Sequence, residues 1–343
     1  MPQVNVMYWN LGGVDQQRLA LAGASYSSLI ASVMRASNIA VAGFSGVLAG
    51  QGGVLGQQVV NHLGQTTWNQ QASPQLGQGR NEQYLFVWNL QAVPAYKPPG
   101  LEYWLWQYPR PGQQGQYFGF PRQQDQSPDM PPFTMFFKLG NSGKWIPVAI
   151  LHAPSWQLGQ PNGQGIAMAL ASFAQIPTFD LGNGAMLMGT FNVPAIDNVN
   201  APGSNGANVF GGLAGAQGKY DQEMNNHRTA LAGAPIVAIA DEEAYAQTSD
   251  NFFLRRNSPQ GGIGGSDPGI LNVISASLGI LDDQGNWQAA RFRPALAYVE
   301  EVSAGRQNVA AGDDGSYDAF DDAFAAYRLY VSDHVPIVMT INY

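Results

Sequence analysis

The stretch that most constrains the fold is residues 186–197, with the sequence MLMGTFNVPAID. Its first residues are apolar, and the run stops at Gly189 before polar groups follow at fixed offsets. A short apolar run of this kind predicts a buried β-strand. Such a strand would deliver Thr190 and Asn192 to a site at its carboxyl end.

Polar residues also stand at the ends of other predicted strands. They are Asn10 after 4–9, Glu82 at the start of 82–88, His152 after 145–151, Asp250 before 251–254, and Asp333 and His334 before 335–341. Most have a plainer interpretation when taken alone, because Asn10 could simply end a strand and His152 could be a capped, buried histidine. Two ionisable residues directly before an apolar strand, as at Asp333 and His334, point more strongly to a site.

The remaining pattern indicates a layered α/β chain. Helical spacing of apolar residues predicts helices at 16–37, 54–63, 166–176 and 317–328, and further strands are predicted at 38–47, 101–106, 133–139 and 234–239. The strands at 133–139 and 145–151 flank an Asn-Ser-Gly turn and should form a hairpin. Three Gly-, Pro- or Gln-rich segments are predicted to be long surface loops, at 108–131, 202–218 and 260–269.

Composition bounds both the size of the fold and its chemistry. With 343 residues and 45% hydrophobic content, the chain is expected to form one large domain over 1–343. It contains no cysteine, so disulfides, thiolate metal ligands and a cysteine nucleophile are all excluded. Any metal ion would therefore bind oxygen or imidazole.

Charge and hydropathy limit the partners. The net charge of −8, with only 12% charged residues, gives no long-range attraction for a polyanion, which argues against broad cationic binding of duplex DNA. No run of about 20 apolar residues predicts a membrane span, and the amino terminus has no pattern of a cleavable export signal. We therefore expect a cytoplasmic protein or one exported without a cleavable signal.

The order of these polar positions resembles the endonuclease/exonuclease/phosphatase superfamily. Strand-Asn, strand-Glu, strand-His, Gly-x-Phe-Asn, Asp-Asn-Phe-Phe and Ser-Asp-His-x-Pro follow one another as they do in that family, and the likeness spans nearly the whole chain. Residues 80–86 (RNEQYLF) are similar to a segment of deoxyribonuclease I and of the nuclease subunit of cytolethal distending toxins. The resemblance implies an α/β (α+β) fold, a four-layer sandwich in which two packed mixed β-sheets are flanked by helices.

The resemblance also implies roles for individual residues. Glu82 would be the carboxylate partner of His152, and Asp250 would orient His334. A carboxylate at an imidazole fixes the tautomer and raises basicity, so one histidine can accept a proton while the other stabilises the departing oxygen. The remaining implied site residues are Asn10, Asn192 and Arg80 for the phosphate or substrate, and Asn10 with Asp333 for a metal ion.

Two positions depart from the family pattern. Gly46 and Thr190 stand where the family has acidic residues, so Asn10, Asn192 and Asp333 would offer a metal ion only one formal negative charge. Mg²⁺ or Ca²⁺ is therefore expected to bind weakly, with none in the resting protein. By this reasoning Gly46→Glu with Thr190→Asp should restore an anionic pocket.

The sequence leaves several functions open. The preferred hypothesis is a degenerate deoxyribonuclease I-like protein, a pseudoenzyme that recognises a phosphate ester or nucleic acid, with metal-dependent phosphodiester hydrolysis impaired or lost. A second hypothesis is an active nuclease or phosphodiesterase with weak or replaced metal ligation, for which Glu242 or Glu243 could supply the missing acid. A third is a non-catalytic interaction protein, and a fourth is metal-free cleavage of RNA by the two histidines.

Overall fold

The computed structural model of the chain describes residues 2–22, 24–48, 50–75, 81–99, 104–105, 132–153, 180–191, 213, 219–224, 230–231, 245–247, 250–255, 262–271, 331–332 and 334–343. The helices in this part are α1 (Gln16–Ala22), α2 (Ala24–Ala36) and α3 (Gly52–Leu63). The strands are β1 (Gln3–Val14), β2 (Ile39–Val47), β3 (Trp68–Ala72), β4 (Gln83–Asn89), β5 (Trp104–Leu105), β6 (Phe133–Lys138), β7 (Trp145–His152), β8 (Met186–Thr190), β9 (Tyr220–Gln222), β10 (Ala230–Leu231), β11 (Tyr245–Gln247), β12 (Asp250–Arg255), β13 (Gly264–Ile270) and β14 (Ile337–Asn342).

Twelve of these strands form two six-stranded sheets. The first sheet has the order β13-β14-β1-β2-β4-β3, and the second has the order β5-β6-β7-β8-β12-β9. Each sheet is mixed, because it contains one parallel pair, β1 with β2 or β7 with β8, among antiparallel neighbours. The strands β10 and β11 form a separate antiparallel pair. The predicted class, an α/β sandwich of two mixed sheets, is confirmed.

Side chains of the first sheet alternate between two hydrophobic cores. In β1, Met7 and Trp9 pack in a core with α2 and α3, while Val6 and Tyr8 pack in a second core with residues of the other sheet. This alternation follows from the two-residue period of a β-strand. The helices therefore cover the outer face of the first sheet, and the second sheet packs on its inner face.

The two sheets approach closely at Gly43 in β2. A Cβ atom at this position would lie 2.2 Å from Cε of Met188 and 2.9 Å from Cδ1 of Ile150, both in the second sheet. Atoms of a packed core do not come this close. The glycine thus allows β2 to sit directly against β7 and β8.

The predicted helices are partly described. The helix expected at 16–37 is two helices, α1 and α2, and the helix expected at 54–63 is α3. The longest of them, α2, has 13 residues, and no helix in the described part of the chain is long and apolar enough to cross a membrane. Several other predictions fall outside the described residues: the helices at 166–176 and 317–328, the strand at 234–239, the loop at 108–131, and the loop at 202–218 except for Leu213.

The prediction of a loop at 260–269 is wrong for most of its length. Gly264–Ile270 is an edge strand, β13, hydrogen-bonded to β14. The register shifts between Ser266 and Gly269, and Asp267 between them has a positive φ of 51°. Strand formation depends on the neighbouring strand more than on residue propensity, so pairing with β14 outweighs a glycine-rich composition. The amide-rich strand β3 at the opposite edge of this sheet escaped prediction for the same reason.

Gly189 should be essential for the pairing of β7 with β8. A Cβ atom there would lie 1.9 Å from the carbonyl oxygen of Leu151, a backbone atom that cannot rotate away. We expect Gly189→Ala to lower the free energy of unfolding by at least about 3 kcal/mol, measured by urea denaturation. The matched control is Gly53→Ala in α3, where nothing lies within 4 Å of the added carbon. That variant should be neutral or up to about 1 kcal/mol more stable, and equal losses in both variants would contradict the prediction.

Candidate functional site

Six strands of the two sheets carry an inward-facing apolar series that ends in a polar residue. In β7, for example, Val148 and Ile150 face the first sheet, and the next position with the same orientation is His152. The polar residues at these series ends are Asn10 of β1, Ser45 of β2, Glu82 directly before β4, His152 of β7, Thr190 of β8 and Asp250 of β12. Strand direction and register bring all of them to one edge of the sandwich.

In the second sheet, three of these residues form one row. His152 pairs in register with Thr190 across the parallel strands β7 and β8, and Thr190 pairs with Asp250 across β8 and β12. Neighbouring strands lie about 4.8 Å apart, so the backbones at His152 and Asp250 flank Thr190 at a separation of roughly 10 Å. The row faces the first sheet, which supplies the other half of the site.

The first histidine–carboxylate pair is His152 with Glu82. Nδ1 of His152 lies 2.6 Å from Oε1 of Glu82, whose residue is 1% exposed. The same oxygen accepts the backbone N–H of Gly46 at 2.7 Å, and the backbone N–H of His152 donates to the hydroxyl of Tyr84 at 2.9 Å. The carboxylate therefore binds Nδ1 and fixes the ring, so proton exchange with a ligand would occur at Nε2.

The second pair is His334 with Asp250. Nδ1 of His334 lies 2.7 Å from Oδ2 of Asp250, and both residues are buried. Ser332 braces the histidine, because its hydroxyl accepts the backbone N–H of His334 at 2.9 Å and donates to the carbonyl oxygen of Asn10 at 2.5 Å. Both pairings that the resemblance implies, Glu82 with His152 and Asp250 with His334, are thus present as hydrogen bonds. The catalytic roles of these four residues stay predictions.

Thr190 lies at the centre of the site. Its hydroxyl contacts Oδ1 of Asp250, and it also lies 3.0 Å from Nδ2 of Asn10 and 2.9 Å from the hydroxyl of Tyr8. The Tyr8 hydroxyl lies 2.6 Å from Oγ of Ser45. Thr190 therefore links the Asp250–His334 pair to the two central strands of the first sheet.

Two buried tyrosines stand beside the carboxylates. Burial raises the pKa of Tyr8 well above its usual value, and the charge of Asp250 raises it further. Burial also raises the pKa of Tyr84, with a further contribution from the charge of Glu82. Both phenols are therefore protonated at neutral pH and act as neutral hydrogen-bonding groups.

Comparison with known proteins identifies this architecture. No protein-family model matches the chain, and no curated protein matches it, but solved structures do. An endonuclease/exonuclease/phosphatase family protein from Bacteroides thetaiotaomicron has a TM-score of 0.54 and 13% identity, with 99% of this chain and 97% of that chain covered. The chain has the endonuclease/exonuclease/phosphatase fold. Its two packed mixed sheets follow this deoxyribonuclease I-like architecture.

Two further structures with the endonuclease/exonuclease/phosphatase fold are similar over the same extent. The mannosyl-6-phosphatase of Bacteroides thetaiotaomicron has a TM-score of 0.54 and 12% identity, with 99% of this chain and 100% of that chain covered. TDP2 of D. rerio, in complex with a single strand DNA product, has a TM-score of 0.54 and 12% identity, with 99% of each chain covered. These identities make the likeness one of fold.

The backbone packs tightly around Gly46, the position at which the resemblance to the endonuclease/exonuclease/phosphatase family implies an acidic residue. Gly46 has a φ of +72°, and a Cβ atom on it would lie 2.6 Å from Oδ1 of Asn10 and 2.8 Å from the backbone nitrogen of Gly12. Oδ1 of Asn10 already accepts the N–H of Gly12 at 3.0 Å. The groups around Gly46 are therefore tightly packed, and the amide oxygen that could bind a cation has a donor against it.

The described residues do not fit a divalent cation. Mg²⁺ and Ca²⁺ need several oxygen ligands, preferably carboxylates. The carboxylates of Glu82 and Asp250 each bind a histidine, and in the described part of the chain no three histidine, aspartate or glutamate side chains come together as a metal site. Three predicted site residues, Arg80, Asn192 and Asp333, lie outside the described residues. The expectation of weak Mg²⁺ or Ca²⁺ binding stays a prediction.

Sequence reasoning missed four residues of the site. They are Tyr8, Ser45, Tyr84 and Ser332. A signal for two of them was present in the two-residue period of the strands. Tyr8 lies on the same face of β1 as the predicted Asn10, and Ser45 lies on the matching face of the neighbouring strand β2. The polar contacts of Tyr84 and Ser332 depend on which strands meet across the sandwich, and strand order is not visible in local sequence.

Removal of Glu82 should destabilise the fold unless an acceptor oxygen remains. Glu82→Ala leaves two donors, the buried N–H of Gly46 and Nδ1–H of the partly buried His152, without their acceptor. We expect the free energy of unfolding to fall by about 2–4 kcal/mol. Glu82→Gln keeps Oε1 in place for both donors and should cost about 1 kcal/mol or less. Equal losses in the two variants, measured by urea denaturation, would show that the donors do not depend on this oxygen.

The structure also revises the expected effect of restoring acidic residues. Gly46→Glu needs a left-handed backbone and places its Cβ atom against Asn10 and Gly12, so we expect a loss of at least about 2 kcal/mol of stability. Thr190→Asp would set a second carboxylate in contact with Asp250. The double variant should melt well below the parent in a thermal scan. A double variant as stable as the parent, with Mg²⁺-dependent cleavage of plasmid DNA, would contradict this prediction.

Proposed function

We propose that this chain binds a phosphate ester, either a small molecule or a nucleic acid, at the edge of the sandwich where the two histidines lie. The observation that carries this proposal is the pair of imidazole–carboxylate contacts, at 2.6 and 2.7 Å, brought together from distant parts of the sequence. In each pair the carboxylate holds Nδ1, so a ligand would contact the ring at Nε2. A protonated imidazole held in this way donates a charge-assisted hydrogen bond to a phosphate oxygen.

Proteins with the same fold support a phosphate-bearing ligand. The similar solved structures include a mannosyl-6-phosphatase and TDP2 with a single strand DNA product. Both names refer to ligands that carry phosphate. The low net charge density of this chain favours local recognition of phosphate over broad attraction to a nucleic acid.

We further propose that metal-dependent phosphodiester hydrolysis is impaired or lost. Packed backbone at Gly46 and a hydrogen-bonded hydroxyl at Thr190 stand where the resemblance implies carboxylates. Without those oxygens a divalent cation would be held poorly, and the attacking water would lack its activation. This supports a degenerate member of the fold rather than an efficient nuclease.

A second candidate is an active nuclease or phosphodiesterase with weak or replaced metal ligation. The observation in its favour is that both histidine–carboxylate pairs keep hydrogen-bond geometry suited to acid–base chemistry. A third candidate, a non-catalytic interaction protein, is favoured by the substitutions at Gly46 and Thr190. Binding and cleavage measurements on the same protein separate the three.

Binding of a phosphate ester can be measured by fluorescence anisotropy with labelled single-stranded DNA, with a small phosphomonoester as competitor. We expect His152→Ala and His334→Ala each to weaken binding by about tenfold or more, because each removes a charge-assisted hydrogen bond. His62→Ala is the matched control, since His62 lies at the end of α3 and not at this edge. If neither DNA nor the phosphomonoester binds, or if all three variants bind like the parent, the proposed ligand site is wrong.

Metal dependence can be measured in the same preparation. Calorimetric titration with Mg²⁺ should show no binding tighter than about millimolar, because no three histidine, aspartate or glutamate side chains of the described residues come together to hold the ion. Cleavage of plasmid DNA should then rise little when Mg²⁺ is added. Micromolar binding together with strong Mg²⁺-dependent cleavage would favour the active enzyme, and it would indicate that residues beyond those described complete the metal site.

A further inference from the structure

The donors and acceptors around Thr190 can be assigned in only one consistent way. The starting point is Asn10, whose Oδ1 accepts the backbone N–H of Gly12 at 3.0 Å. This contact fixes the orientation of the amide, so Nδ2, which can only donate, faces the hydroxyl of Thr190 at 3.0 Å. One lone pair of Thr190 is therefore used by Asn10.

The single proton of the Thr190 hydroxyl has one acceptor. An ionised carboxylate can only accept hydrogen bonds, so the contact with Oδ1 of Asp250 uses this proton. The contact with Tyr8 at 2.9 Å must then run the other way, and Tyr8 donates to the second lone pair of Thr190. Thr190 thus donates one hydrogen bond and accepts two, which is the full capacity of a hydroxyl.

The same reasoning extends to Ser45. Tyr8 has spent its proton on Thr190, so the contact of 2.6 Å between its oxygen and Oγ of Ser45 requires Ser45 to donate. Ser45, Tyr8 and Thr190 are all completely buried. The three hydroxyls therefore donate one to the next, from Ser45 in β2 of the first sheet to Asp250 in the second sheet.

We propose that Ser45, Tyr8 and Thr190 form a hydrogen-bond chain of fixed direction that positions Asp250 and, through it, His334. Oδ1 of Asp250 receives the end of the chain, while Oδ2 receives Nδ1–H of His334. Both oxygens of the carboxylate are held, so its plane and the plane of the imidazole are set together. The three hydroxyl residues are positioning residues, because none of them reaches the surface.

This hydrogen-bond chain gives a reason for a threonine at position 190. A hydroxyl can accept from Tyr8 and still donate to Asp250, whereas a carboxylate can only accept and would repel Asp250. Cooperative polarisation along successive hydroxyls also strengthens the last bond, the one that stabilises the buried charge. The importance of the hydrogen-bond chain for binding a phosphate ester rests on the proposed function, but the hydrogen-bond chain itself can be tested without a ligand.

The test is nuclear magnetic resonance of the full chain labelled with ¹⁵N at histidine. The Nδ1–H protons of His152 and His334 are both hydrogen-bonded to buried carboxylates and should give separate downfield signals. The signals are assigned by the loss of one in His152→Ala and of the other in His334→Ala. The ¹⁵N shifts of each ring report which nitrogen carries the proton.

Thr190→Val removes the hydroxyl and keeps the shape of the side chain. We expect the Nδ1–H signal of His334 to be lost or broadened, while that of His152 is retained. Thr190→Ser restores the hydroxyl and should rescue the His334 signal. Tyr8→Phe should shift the same signal by less, and Ser45→Ala by less again, because each lies one step further from Asp250.

Tyr84→Phe is the matched control for Tyr8→Phe. Tyr84 is equally buried, but its hydroxyl accepts the backbone N–H of His152, which belongs to the other histidine–carboxylate pair. It should leave the His334 signal unchanged. Circular dichroism checks that each variant folds, and if Thr190→Val does not fold, Tyr8→Phe and Ser45→Ala carry the test.

Two outcomes would overturn the proposal. One is an unchanged His334 signal in the folded variants of Ser45, Tyr8 and Thr190. The other is an equal change at His152 and His334, which would indicate a general loosening of the structure. Failure of the proposed function would look different. Phosphate esters would then fail to bind the parent protein, while the His334 signal would still respond to Thr190 and Tyr8.

Discussion

Polar contacts between the two sheets are the interaction on which the site depends. Glu82 and His334 precede strands β4 and β14 of the first sheet, and their partners His152 and Asp250 lie in β7 and β12 of the second. A buried charge or N–H without a partner costs several kcal/mol, so these groups can sit at the end of a hydrophobic core only when the sheets meet in one register. The residues of the site are therefore also the residues that join the two sheets at this edge of the sandwich.

Beside the two carboxylates, the groups that join the sheets at this edge are neutral hydroxyls and an amide. Where the family resemblance implies carboxylates for a metal ion, this chain has glycine backbone and hydroxyl groups that hydrogen-bond to one another. Hydroxyls and amides can satisfy each other without a counter-ion, whereas grouped carboxylates repel unless a cation is bound. Both imidazole–carboxylate pairs are formed beside these neutral groups.

Much of this architecture could be predicted from sequence. The apolar series of β1, β4, β7, β8 and β12 and the polar residues that end them are visible as local patterns. Their order along the chain gave the family resemblance, and that resemblance implied site roles for Asn10, Glu82, His152 and Asp250. The glycine-rich strand β13 could not, because its pairing depends on β14, which lies far away in sequence. The role of Tyr8 was hidden for a related reason. A tyrosine in an apolar strand is ordinary in a core, and only the position of Thr190 across the sandwich makes its hydroxyl part of the site.

The division of each pair between two sheets links ligand binding to the mechanics of the fold. If this end of the sandwich opens, Glu82 parts from His152 and Asp250 parts from His334 in the same event. A ligand held by both histidines would act against that opening, and by mass action it would slow exchange of the backbone amides at this edge in β1, β4, β8 and β12. Binding of the proposed ligand could therefore be followed in strands that carry neither histidine.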